Sequence, residues 1–183
     1  MLDRIIAFIL ILILSPIFIL ILILIFIEDS TPLFFTQKRV GVNYSFFKIY
    51  KFRSMKKNTP NVATHLLTEP DKYLLKIGRF IRRTSLDELP NLINIVKGEM
   101  VFVGPRPALY NQDDLMELRI ATGVSELKPG ITGWAQINGR DEISIPEKVK
   151  LEQEYMYRKS LLFDFEILVK TFTNVLFRKD VSH

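Results

Sequence analysis

Ile13-Leu14-Ser15-Pro16-Ile17-Phe18, in the middle of an apolar run from Ile5 to Ile27, decides what kind of fold this 183-residue chain can have. Apart from Ser15 and Pro16 the run is continuously apolar, long enough at about 1.5 Å rise per residue to form a transmembrane helix. Met1-Leu2-Asp3-Arg4 precedes it with no small-residue cleavage site after it, so it does not read as a signal peptide. Pro16 removes one hydrogen bond from the helical ladder, and the Ser15 hydroxyl beside it can satisfy a backbone group left unpaired in lipid. A bend is expected there. Each half then rises only about 16 Å, short of a ~30 Å hydrocarbon core. Residue physics therefore allows either a kinked span or a hairpin that enters one leaflet and returns. Lys38, Arg39, Lys48 and Lys51 place everything after Glu28 on the cytosolic side under the positive-inside rule.

Composition narrows the rest. The net charge is +5, which invites an anionic surface, and the apolar run selects anionic membrane lipids over nucleic acid. There are no cysteines, which excludes disulfides and thiolate metal sites. His65 and His183 are the only histidines, which leaves little room for a His-based metal cluster or a Ser-His-Asp triad. After the apolar run, residues 1–29, the remaining 30–183 suffice for one modest core.

Two β-prone stretches, Leu33 to Arg39 and Tyr44 to Arg53, flank Val40-Gly41-Val42-Asn43 and predict a hairpin. Asn58 to Pro70 reads as a loop, and Asp71 to Arg83 as an amphipathic helix delivering Arg82 and Arg83 to the next stretch. That stretch, Thr84-Ser85-Leu86-Asp87-Glu88-Leu89-Pro90, has two readings. Ser85 and Glu88 fit a capping box opening a helix through Leu92, Ile93 and Val96. The second is compatible with it: Asp87, held ionised by the positive end of that helix, is a ready nucleophile or metal ligand. Neighbours on a helix diverge by about 100°, so the two carboxylates cannot address one atom and must play different parts.

Gly104-Pro105-Arg106-Pro107 presents an arginine between two prolines, a stiff support suited to gripping a phosphate through both guanidinium arms. Its bland counterpart is an arginine paired with a buried carboxylate. Farther on, Asn111 or Asp113 is expected to cap a short helix ending at Gly123, and Pro129-Gly130 to form a type II turn. Trp134, Gln136 and Asn138 offer a stacking face and amides. Pro146 opens a predicted helix to Lys159, and Leu161 to Phe177 carries an apolar stripe with Lys170, Arg178 and Lys179 at its edge. Interfacial contact and core packing are equally compatible with that stripe.

Four motifs in order, Lys51-Phe52-Arg53-Ser54-Met55, Thr84 to Pro90, Val103 to Pro107 and Pro129 to Arg140, make the chain resemble the small monotopic phosphoglycosyl transferases of the bacterial sugar transferase family. The resemblance implies a mainly α fold with a small β-hairpin, a re-entrant helix-break-helix at Ser15 and Pro16, and interfacial amphipathic helices. It implies transfer of a sugar 1-phosphate from a UDP-sugar to undecaprenyl phosphate, using Mg²⁺, through a covalent phosphosugar on Asp87. Glu88 then helps bind Mg²⁺, while Lys51, Arg53, Arg82, Arg83, Arg106, Gln136 and Arg140 are candidates for contact with the substrates. Such an enzyme works at the cytosolic face of the bacterial inner membrane. It catalyses the first membrane step of glycoconjugate assembly (O-antigen, capsule or glycoprotein glycan), hands its product to downstream glycosyltransferases, and is compatible with a homodimer. A membrane-bound metal-dependent phosphodiester hydrolase and a non-enzymatic anionic-lipid adaptor are the rival readings.

Overall fold

A computed structural model describes residues 1–60, 69–139 and 143–177. Its described part is mainly helical, with one antiparallel hairpin and one short parallel pair of strands. The apolar run becomes helix α1, Leu2–Asp29, with Pro16 inside it. Among the described residues it is the one helix long and apolar enough to cross a membrane. Pro16 has no N–H to give to the carbonyl of Leu12, four residues back, and the Ser15 hydroxyl donates to that same oxygen at 2.8 Å. The carbonyl orphaned by the proline is thereby satisfied.

Helix α1 lies along the rest of the molecule. Its first half packs Ala7, Leu10, Ile11 and Leu14 against Phe47, Ile49, Leu92, Ile95 and Met100. Its second half packs Ile21 and Ile25 against Phe52, Leu75 and Ile81. Both ends are tied by polar contacts. Arg4 donates to the carbonyl of Lys97 at 3.2 Å, while the Glu28 carboxylate accepts from the backbone N–H groups of Lys76 and Ile77. The opposite face exposes Phe8, Leu12, Ile13, Ile19 and Leu20.

Strands β1, Phe34–Val40, and β2, Phe46–Phe52, pair antiparallel with Thr36 opposite Tyr50 and Lys38 opposite Lys48. This is the expected hairpin. The helix expected over Asp71 to Arg83 is instead two, α2, Pro70–Tyr73, and α3, Lys76–Arg83. Leu74 and Leu75 between them are extended, because Leu75 is buried and its N–H donates to the carbonyl of Ser54. The Glu28 carboxylate then opens α3 by taking its first free N–H groups.

Helix α4, Asn91–Lys97, starts at Pro90, and the Asp87-Glu88 pair lies before it in a separate 3₁₀ turn, Leu86–Glu88. Strand β3, Val101–Val103, pairs in parallel with β4, Gly130–Thr132. Pro129-Gly130 is thus the entry to a strand, where a type II turn was expected. Close approach explains the glycine: a Cβ on Gly130 would stand 2.2 Å from the backbone nitrogen of Gly104.

Helices α5, Asp113–Ala121, α6, Trp134–Ile137, α7, Ile145–Arg158, and α8, Leu161–Phe177, complete the fold. Neither Asn111 nor Asp113 caps α5, which begins after Gln112 without a side-chain cap. Among the described residues a capping box is formed by Ser144 and Glu147, opening α7. Along α8 the two readings of its apolar stripe separate onto two faces. Phe163 and Ile167 enter the core with Val103 and Tyr155, while Leu161, Leu162, Phe165 and Phe172 face outward. Arg178 and Lys179 lie outside the described residues.

Candidate active site

A shallow cleft opens between the hairpin, the Asp87-Glu88 turn and the Pro-Arg-Pro segment. Lys51, Glu88 and Arg106 line it, together with Arg39, Asn91 and the backbone around Gly130. The Lys51 ammonium meets the Glu88 carboxylate at 2.6 Å, and the Arg106 guanidinium stands 3.9 Å from the same oxygen. Three residues from three distant motifs are thus brought to one point.

The Asp87-Glu88 pair is built differently from the capping box expected of it. Ser85 takes a left-handed conformation, φ 56°, and its side chain makes no cap hydrogen bond. The 3₁₀ turn that follows leaves the two carboxylates in different surroundings. Glu88 faces the cleft, whereas Asp87 is only 8% exposed and is not among the residues lining it. Burial pushes the Asp87 carboxyl up from an ordinary 3.8 to about 6; Lys51 and Arg82 pull it down and the Glu88 charge pushes it up. The expectation that a helix N-terminus holds this group ionised is therefore corrected. The helix starts three residues later, and desolvation outweighs the nearby cations. At neutral pH the group is still mostly a carboxylate, with a proton affinity poised for chemistry.

Arg106 is held by its backbone. The carbonyl of Pro105 accepts from the N–H of Gly130, that of Arg106 from the Arg119 guanidinium, that of Pro107 from Arg39, and that of Ala108 from the N–H of Val40. Four successive carbonyls are pinned from three parts of the chain: β4, α5 and, through the adjacent Arg39 and Val40, β1. The side chain itself remains 41% exposed at the cleft mouth.

The other predicted site residues divide. Arg82 stands close enough to Asp87 to lower its pKa, while Arg83, one residue on, is exposed. Arg53 does not line the cleft. It is buried and holds the end of α1, its Nη2 donating to the carbonyls of Asp29 and Ser30 and its Nη1 lying 3.1 Å from the Asp29 carboxylate. Gln136 is on α6, with both amide atoms buried and without a hydrogen-bond partner. Trp134 is engaged by Glu154, which accepts from its indole N–H, and by the Phe163 ring. Arg140 lies outside the described residues.

Two cleft residues escaped sequence reasoning. Asn91 is buried at the cleft wall with its Oδ1 unpartnered. Its spacing of three from Glu88, which puts both on one side of a helical turn, was the available signal. Arg39 had none beyond its charge, because only the folded hairpin shows that it reaches Pro107.

Among the described residues no group of three or more acidic or histidine side chains forms a ready metal site. The donor set nevertheless suits Mg²⁺, which is usually held by one or two carboxylates and completes its shell with water and substrate phosphate oxygens. Glu88, facing the cleft, and the neighbouring Asp87 are the carboxylates that would be offered to such an ion.

The bacterial sugar transferase family profile matches residues 1–178. The chain belongs to that family. This bacterial sugar transferase is 41% identical over 157 residues to the uncharacterized sugar transferase EpsL of Bacillus subtilis (strain 168), an alignment spanning 85% of this chain and 76% of that one. It is 38% identical over 176 residues to the UDP-glucose:undecaprenyl-phosphate glucose-1-phosphate transferase of Escherichia coli (strain K12), covering 92% of this chain and 38% of the longer enzyme. To the UDP-N-acetylgalactosamine-undecaprenyl-phosphate N-acetylgalactosaminephosphotransferase of Aeromonas hydrophila it is 34% identical over 167 residues, 88% of this chain and 40% of that one.

Proposed function

We propose that this sugar transferase moves a sugar 1-phosphate from a UDP-sugar to undecaprenyl phosphate by way of a covalent phosphosugar on Asp87. The observation that carries the reading is the convergence of Lys51, Glu88 and Arg106 on one cleft beside a buried carboxylate poised near pH 6. An oxygen of Asp87 attacks the phosphorus that bears the sugar, the bond from that phosphorus to the bridging oxygen breaks, and UMP leaves with the electron pair. An oxygen of the lipid phosphate then attacks the same phosphorus and releases Asp87. Arg106 and Lys51 neutralise charge on the transferred phosphate, and Arg82 keeps a positive field at Asp87. Glu88 and Asp87 would hold Mg²⁺, which when bound would supply further charge neutralisation at the phosphates. Arg83 belongs to the diphosphate approach, and Gln136 and Arg140 to recognition of the nucleotide-sugar. Arg53 acts on the site indirectly, by holding α1 against the hairpin.

The same reading makes the protein monotopic, with residues 1–29 as a re-entrant membrane unit and 30–183 as the cytosolic catalytic unit. Arg4 and Glu28, at opposite ends of α1, contact the same unit, and both halves of the helix pack on it. A helix crossing the bilayer would have to give up one of those ends. Exposed apolar side chains on α1 and α8 fit the interface of the cytoplasmic membrane, where a polyprenyl phosphate surfaces. A thiol introduced by Leu2→Cys, in a chain otherwise free of cysteine, is expected to react with a reagent confined to the cytosolic side. Labelling from the opposite side would replace the re-entrant form with a span.

The activity is tested by incubating the protein with radiolabelled UDP-sugars, undecaprenyl phosphate and Mg²⁺. Lipid-linked product with release of UMP is the expected result. Free sugar phosphate would make the protein a hydrolase, and no turnover with any donor would leave an anionic-lipid adaptor.

A further inference from the structure

Arg119 and Glu152 form a buried ion pair with no place in the chemistry above. Arg119, on α5, is 5% exposed, and Glu152, on α7, is 2% exposed. The pair is bidentate: Arg119 Nε donates to Glu152 Oε2 at 2.7 Å and Nη2 donates to Oε1. Burying two charges carries a desolvation penalty that their attraction often fails to recover, so such a pair is weak evidence of stabilisation. What it delivers is a third bond. Arg119 Nη2 also donates, at 3.0 Å, to the carbonyl oxygen of Arg106.

We propose that Arg119 and Glu152 are positioning residues that set the orientation of Arg106 for phosphate transfer. The other pins on this segment come from the backbone N–H groups of Gly130 and Val40 and from Arg39 on the hairpin. Gly130 fixes the peptide that enters Arg106, and of all these bonds only that from Arg119 takes the carbonyl of residue 106 and so fixes the peptide that leaves it. The Arg106 peptide is oriented by a guanidinium that a carboxylate from a separate helix holds on two points, a geometry lysine cannot reproduce. A small rotation of that peptide swings the long Arg106 side chain across the cleft mouth, and misplacement of about 1 Å can cost a hundredfold in rate. The inference rests on the proposed grip of Arg106 on the transferred phosphate.

A double-mutant cycle tests it. Arg119→Met/Glu152→Met replaces the pair by apolar side chains of similar length, a change buried ion pairs often tolerate, and removes the donor to Arg106. In the wild-type background the rate of Asp87 labelling at saturating UDP-sugar is expected to fall about tenfold. In the Arg106→Lys background the same pair change is expected to alter that rate by less than about twofold, because the group it positions is already lost. Any shift in thermal midpoint should be the same in both backgrounds. An equal fold-loss of rate in both backgrounds assigns the pair to general packing and overturns the proposal. So does wild-type labelling by the Met/Met protein. Glu152→Gln, which keeps an acceptor for one of the two bonds, provides a second folded variant, expected to lie between. If neither variant folds, the pair serves stability and the positioning role is discarded. Near-normal labelling by Arg106→Lys alone would instead remove the Arg106 grip itself, a failure visible without touching the pair.

Discussion

Ser85–Glu88 and Pro105–Ala108 are both short, both border the cleft, and are held in opposite ways. The first is a single tight turn entered through a left-handed serine, and its chemical character comes from burial, which lifts Asp87 to about 6. The second has little intrinsic reactivity and is over-determined, with every carbonyl from Pro105 to Ala108 taken by a donor from β1, β4 or α5. The difference separates two tasks of a phosphate site. A nucleophile is tuned by its environment, whereas a charge clamp is tuned by its coordinates.

The comparison breaks most completely at Asp87. Asp87→Asn is expected to abolish transfer and UMP release, because an amide neither attacks phosphorus nor serves well as a Mg²⁺ ligand; Glu88→Gln should be severely impaired. The same asparagine should stabilise the fold at neutral pH. A carboxyl whose folded pKa of about 6 exceeds its ordinary 3.8 favours folding most below pH 4 and loses that advantage as the pH rises through 6. Removing it is therefore worth on the order of 3 kcal/mol at pH 8 and little at pH 4, read from denaturant melts of the two proteins.

On the clamp side, Arg106→Lys keeps the charge and loses the planar fork. Turnover should fall roughly 10- to 100-fold with the melting curve unchanged, and near-normal turnover would reduce the Pro-Arg-Pro motif to a structural turn. Next in size is the pH profile. The rate of donor cleavage at limiting UDP-sugar should fall about tenfold per pH unit below about 6, as Asp87 takes up its proton. A flat profile between pH 5 and 7 would deny the burial shift any role. The smallest effect belongs to Ser85, where Gly should be tolerated and Val should cost about 1–2 kcal/mol in stability, because a β-branched residue resists φ 56°.

What could be read from residue order alone was what neighbouring residues determine. The hairpin around Gly41, the proline-opened α7 and the bounds of α8 were all legible, because their signals are local. What was not legible depends on partners far along the chain. Leu75 breaks the expected long helix only because Ser54 offers it a carbonyl. Asp87 rises to about 6 only because the hairpin and α3 bury it, so a local argument from the helix dipole had the wrong sign. Arg53 shares its strand face with Lys51, yet it is drawn to the end of α1, a contact 24 residues distant. The ion pair that pins Arg106 joins residues 33 apart, and no pattern in either helix announces it.

The central claim is that Asp87 becomes covalently linked to the sugar phosphate, and trapping that adduct tests it most directly. The protein is mixed with a UDP-sugar labelled in the phosphate next to the sugar, in Mg²⁺ and without undecaprenyl phosphate, then quenched and digested. The expected result is label on the peptide containing Asp87, released as lipid-linked product when undecaprenyl phosphate is added before the quench, and absent from Asp87→Asn. Label retained by Asp87→Asn, or lipid-linked product formed by that variant at the wild-type rate, would contradict the account.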